Sequence, residues 1–129
     1  MPNLSLRNIH VEEFALPMYL NAATVAADIG KGVTQDTSAA MTVRLAEDGE
    51  EIFGFLDTFE DRGDFKLGAV QQKGGFGMTY EGAVPNIGDG MVGSTTPGVL
   101  RTTGAAATAG QPRVFKVDTA KNLVEVYLA

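Results

Sequence analysis

The sequence predicts an all-β domain, a small β-barrel or sandwich, with an extended N-terminal arm and at most one short helix. Three observations predict it. Short apolar runs recur at roughly ten-residue spacing, the rhythm of many short strands. Phe76, Met78 and Tyr80 alternate with Gly77, Thr79 and Glu81, the period-2 signature of a strand with one buried face. The chain of 129 residues carries 16 glycines, well above the usual share of about 7%, which suits a molecule rich in turns.

Taken in order, residues 1–20 fit neither a clean helix nor a sustained strand. Leu4, Leu6, Ile9, Val11, Phe14 and Leu16 are apolar, with weak alternation at Leu4/Leu6 and Ile9/Val11. Two readings stay open: an edge strand or lid over its own core, or an arm that adds itself to a neighbour's sheet. Pro17 is expected to end this segment, because proline cannot donate to a ladder. The domain proper is then 21–129. Residues 20–28, LNAATVAAD, are the best helix candidate, with Asn21 as a cap and Gly30 as a stop; a loop is the alternative.

Residues 33–37 read as a short extended run, and Met41, Val43 and Leu45 as the inward positions of a half-buried strand. Asp48-Gly49 suits a tight hairpin turn. Residues 52–56, IFGFL, are almost continuously apolar and predict a strand buried on both faces, with Gly54 marking a bulge or close packing. A charged loop carrying Phe59 follows over 57–63. Residues 69–73 and 76–81 read as two strands of a hairpin turned by Gly74 and Gly75. The corner Pro85-Asn-Ile-Gly-Asp-Gly90 launches a strand at Met91. Residues 99–102 form another, and 103–112, TGAAATAGQP, read as a flexible connection. Two final strands, 113–117 and 123–128, place Val124, Val126 and Leu128 on one face and Leu123, Glu125 and Tyr127 on the other.

Composition narrows the functions. A formal charge of −6 at pH 7 argues against nucleic-acid binding, which draws its affinity from Lys and Arg. No apolar run approaches the roughly 20 residues of a membrane-spanning helix, and MPNLSLRNIH lacks the apolar centre of a secretory signal. No membrane partner and no secretion are expected. The chain has no Cys and one histidine, His10, so a zinc site, thiol chemistry and disulfides are not expected. Carboxylates cluster at Glu47, Asp48, Glu50 and Glu51, and again at Glu60, Asp61 and Asp64. Paired carboxylates hydrolyse glycosides and loop carboxylates bind calcium, but neither cluster has calcium-loop spacing, and solvated acidic turns are the simpler reading. Gly74-Gly75-Phe76-Gly77 lacks the Lys-Ser/Thr and helix of a phosphate cradle. No catalytic residue, metal or cofactor is therefore assigned.

As an ordered set, these features resemble the small head decoration (capsid cement) proteins of tailed bacteriophages, the lambda-like β-tulip group in particular. The resemblance rests on the strand over 52–56, then Gly68-Ala-Val70, then the corner Ile87-Gly88-Asp89-Gly90-Met91-Val92-Gly93. It continues with Pro97-Gly98-Val99-Leu100 and the closing Val124-Glu125-Val126. It begins near Gly32 and covers about three-quarters of the chain; the acidic turn at 47–51 and the loop DTFEDRGDF have no counterpart in it. What it implies is a β-tulip-like body that binds the outer surface of an expanded head. The body would clamp adjacent major capsid protein subunits against internal DNA pressure. It also implies a homotrimer or homodimer made in the host cytoplasm, with no enzyme activity. The N-terminal arm would supply Leu4, Leu6, Ile9, Val11 and Phe14 as capsid-contacting residues. Two alternatives remain: a phage tail, baseplate or receptor-binding β module, and a small carbohydrate- or calcium-binding domain using the loop carboxylates.

Overall fold

The computed structural model describes residues 14–128. Ten strands follow in chain order: β1 Phe14–Leu20, β2 Gly32–Gln35, β3 Thr42–Leu45, β4 Gly54–Leu56, β5 Glu60–Asp61, β6 Lys66–Thr79, β7 Asp89–Gly93, β8 Leu100–Ala106, β9 Arg113–Asp118 and β10 Leu123–Leu128. One 3-10 turn, Ala26–Asp28, is the only helical element among the described residues. The all-β expectation holds. Strands β1-β3-β2-β4-β6 form a closed five-strand barrel, shut by antiparallel pairing of β1 with β6. A second sheet, β6-β10-β9-β7-β8, continues from it.

The long strand β6 belongs to both. Its first part, from Lys66 to Lys73, lies against β1, with β4 and β5 on its other edge; residues 74–79 lie against β10. A bulge falls between Gln71 and Lys73, where Ala15 faces Gln71 but Phe14 faces Lys73. An extra residue of this kind reverses which side chains reach which face. Gly68 and Val70 accordingly serve the barrel, whereas Phe76 and Met78 pack in the second core. Gly74 and Gly75 therefore do not turn a hairpin, as the sequence suggested. Gly74, at φ +119°, lies inside a continuous strand at the point where β6 exchanges partners.

Two apolar cores result. Met18, Leu20, Val33, Val43, Leu56 and Val70 fill the barrel. Ile52, Phe55, Met78, Tyr80, Met91, Leu100, Val114, Val124, Val126 and Leu128 fill the second core. Phe55 and Leu56 are adjacent on β4, so their side chains point to opposite faces, and each enters a different core. The apolar run is buried on both faces at Gly54–Leu56, as expected, but Ile52 and Phe53 precede the strand and Phe53 is only partly buried. Gly54 is needed because a Cβ there would lie 2.6 Å from the Gln71 carbonyl oxygen and 2.7 Å from Val70 Cγ1.

Other expectations are corrected. Residues 20–28 do not form the expected helix, only the 3-10 turn Ala26–Asp28: Leu20 ends β1, and Asn21 Oδ1 accepts from Ala23 N at 2.9 Å, an Asx turn that competes with the helical backbone. Pro17 does not end the segment but sits inside β1, opposite Ala69. The amide of Tyr19 donates to Met41 O, so the matching position of Pro17 faces the edge that β3 leaves unpaired, where no donor is required. Asp48-Gly49 makes a turn, but β3 and β4 flank β2 on opposite sides and do not pair with each other. Instead Gly49 N and Gly93 N bond this turn to β7. Met41 does not join Val43 inside; it is exposed with φ 55°. The charged loop 57–63 contains β5, and the connection 103–112 begins as the second half of β8, bulged at Gly104 (φ +81°). The final two strands and the inward set Val124, Val126 and Leu128 are as expected.

Candidate functional site

Of the clustered carboxylates, Asp48, Glu50, Glu60 and Asp61 are engaged in hydrogen bonds within turns and loops. Glu50 accepts two bonds from the Arg44 guanidinium, both 2.7 Å, and one from Glu47 N at 2.8 Å. The guanidinium first, and that amide second, hold the Glu50 carboxyl down at about 2. Asp48 Oδ1 accepts from Arg101 Nε at 2.8 Å, and Glu60 Oε2 from Arg62 Nε at 2.6 Å. Asp36 accepts from Ser38 Oγ at 2.6 Å, Asn21 Nδ2 at 3.0 Å and Ser38 N at 3.0 Å, which lowers its pKa to about 2. Among the described residues no group of three or more His, Cys, Asp or Glu side chains is placed to hold a metal ion.

Glu81 and Asp89 organise the second sheet in the same way. Glu81 accepts from Ser94 Oγ, from Thr96 N at 2.9 Å and from Thr96 Oγ1 at 2.9 Å, and so pins the turn between β7 and β8. The Ser94 hydroxyl is the main cause of its carboxyl falling to about 2. Asp89 accepts from Thr102 Oγ1 at 2.7 Å and Asn86 N at 2.9 Å, which lowers its pKa and closes the corner that begins at Pro85.

The surface of the second sheet is the more distinctive feature. Gly75 and Gly77 on β6 lie opposite Tyr127 and Glu125 on β10, so this outer face is bare backbone beside side chains. On β9, a bulge opposite Glu125 and Val126 leaves Phe115 without a cross-strand partner and aims it outward. Phe115 is 60% exposed and stacks on Tyr127, with ring centroids 6.2 Å apart and planes 7° from parallel. Together these residues line a shallow groove floored by the two glycines. The barrel has its own exposed aromatic contact, Tyr19 edge-on to Phe65 at 5.6 Å.

One strand edge beside this groove has no partner among the described residues. Tyr80 N donates to Asn122 O on the β10 side, whereas Glu81 N donates to Leu100 O on the opposite side. Backbone groups alternate along a strand, so Gly75, Gly77 and Thr79 direct theirs to the same side as Glu81. Residues 74–79 pair only with β10 among the described residues. The open slot is therefore six residues long, bounded by Phe14 opposite Lys73 at one end and by Leu100 at the other.

Of the residues read from sequence as contact points, Phe14 opens β1 and its backbone lies opposite Lys73. Leu4, Leu6, Ile9 and Val11 lie outside the described residues, as does His10. Residues 14–20, read as the end of an arm, are a strand of the body. The aromatic pair and the open edge were not singled out from sequence. The outward placement of Tyr127 and the glycines alternating with Phe76 and Met78 were the available signals. Comparison of the chain with protein-family models, curated proteins and solved structures finds no match.

Proposed function

We propose that this protein is a capsid decoration (cement) protein. It would bind the outer surface of an expanded phage head and clamp adjacent major capsid protein subunits. The observation that supports this reading best is the division of labour in the body. A closed barrel uses its strands internally, and the attached sheet has, among the described residues, an unpaired edge and exposed aromatics next to the start of β1. Such a body is built to attach: main-chain hydrogen bonds at an edge give affinity, and neighbouring side chains give specificity. Asp48, Glu50, Glu60 and Asp61 are engaged in turns and loops, which fits a mechanical role. The resemblance in the order of sequence elements supplies the head as the partner, and the protein itself as a second partner in a homotrimer or homodimer.

Leu4, Leu6, Ile9 and Val11, with Phe14 at the root, form the contact segment in this reading. Because residues 14–20 belong to the barrel, the informative deletion is 2–12. Full-length protein added to expanded heads lacking it should bind to saturation, and the 2–12 deletion should fold but fail to bind. Saturating binding by a folded deletion variant would remove the segment from the contact.

A further inference from the structure

Cross-strand pairing sets three rows on the outer face of β10 and β9: Tyr127 beside Arg113, Glu125 beside Lys116, and Leu123 beside Asp118. Phe115 rises from the bulge between the first two rows, and Phe115, Tyr127 and Leu123 are all exposed. We propose that this face takes a second copy of this chain, packed sheet against sheet. The two-fold axis runs along the strands, between β9 and β10. The contact gives a surface to the self-association that belongs to the decoration reading, and it does not otherwise rest on that reading.

Charge selects both the partner and the axis. The chain carries a net −6, so two copies repel unless the meeting faces are balanced. The three rows hold two cations, Arg113 and Lys116, and two anions, Glu125 and Asp118. The other exposed aromatic contact, Tyr19 with Phe65, fails this condition. Glu60 lies on the Tyr19 rung, across Leu67, and Asp64 precedes Phe65. A half-turn about the proposed axis lays β10 of one copy over β9 of the other, an isologous contact. Each Glu125 then faces Lys116 of the second copy, and each Tyr127 faces its Phe115 and Arg113. An axis across the strands would instead stack Glu125 on Glu125 and Lys116 on Lys116. Within one chain Lys116 and Glu125 make only a long contact, 4.0 Å, and both are mostly exposed, so both remain able to bond across the interface. Facing sheets pack about 10 Å apart. Gly75 and Gly77 leave room beside Tyr127 for the incoming Phe115 ring, since a Cβ at Gly77 would meet nothing within 4 Å. A patch two strands wide gives a weak, concentration-dependent contact, so the dilute chain is a monomer. Neighbouring copies on a shell sit at high effective concentration, where a weak contact suffices. The edge along residues 74–79 stays outside this contact and is left to the shell.

Sedimentation equilibrium of the full chain over a concentration series reads the association directly. A reversible monomer–dimer equilibrium is expected for the unaltered protein. Lys116→Glu sets two acids against each other at both contacts, and Glu125→Lys sets two bases. Each change should weaken the dimer by about ten-fold or more. Both positions are exposed, so in dilute solution each variant should keep the unaltered circular dichroism spectrum and melting temperature. An equimolar mixture of the two variants should recover the dimer, because the mixed pair sets an acid against a base at both contacts. A monomer at every concentration, a trimer, a dimer indifferent to both changes, or a mixture that stays monomeric would overturn the inference. No capsid enters the measurement. A monomeric result would leave shell binding standing, and failure of the chain to bind heads would leave the dimer standing.

Discussion

The barrel and the second sheet share β6 but are finished differently. The barrel closes on itself, has a small aliphatic core, and leaves no edge along the first half of β6. The second sheet has the larger core, with Phe55, Tyr80 and Met91, yet among the described residues it has an unpaired edge and an exposed aromatic stack. Closure removes the edges to which other chains add; among the described residues the second sheet keeps one such edge, along residues 74–79. The difference shows how one strand can close a barrel with its first half and carry a separate sheet with its second.

Strand β4 separates the two cores, and substitutions there have the largest expected effects. Phe55→Ala empties the second core and should cost about 3–5 kcal/mol; Leu56→Ala empties the barrel and should cost about 2–5 kcal/mol. Because β4 and β6 run through both halves, each variant should still unfold in a single transition, followed by circular dichroism and intrinsic fluorescence together. Two separated transitions would mean that the halves are independent. Gly54→Val should be as damaging as either, since its Cβ would press on the backbone of Gln71, and loss of soluble folded protein is the expected result.

That strand was also the most legible part of the sequence. A five-residue apolar run with a central glycine carries its own burial information, and so does the alternation of β10, whose inward residues were named correctly. The Pro-Gly corner before β7 was equally readable, because glycine and proline fix local geometry. What failed depended on distant partners. Gly74 and Gly75 permit a turn and an extended strand alike, and only pairing with β1 and β10 selects the strand. Residues 20–28 have helical composition, but the Asn21 side chain and the β1 pairing capture their backbone. The aromatic face was hidden because the bulge that turns Phe115 outward comes from its register against β10. The open edge is a property of the assembled sheet and has no local sequence signature.

Acid should loosen turns in both halves. Glu81, Glu50 and Asp36 have folded-state pKa values of about 2, below their ordinary values of 4.5, 4.5 and 3.8. Their contribution is present above the ordinary values and is lost as pH falls towards about 2. The melting temperature should therefore drop between about pH 4.5 and pH 2. Glu81→Gln should flatten the part of that drop that belongs to the second sheet, and an unchanged pH profile would show that the turn does not depend on the carboxylate.

Smaller effects are expected at the surface. Removing the half-exposed Arg44–Glu50 pair with Arg44→Ala should cost about 1 kcal/mol, because it is bidentate but solvent-screened. Phe115→Ser should change stability by no more than about 0.5 kcal/mol, since its ring is mostly in water. A larger loss on chemical denaturation would show that the aromatic stack supports the fold and is not a spare surface.

The decoration reading is tested most directly by the molar ratio of this chain to the major capsid protein in purified particles. About one copy per capsid subunit is the expected result. A few copies per particle would point to a tail or baseplate module instead, and absence from particles would contradict the reading outright.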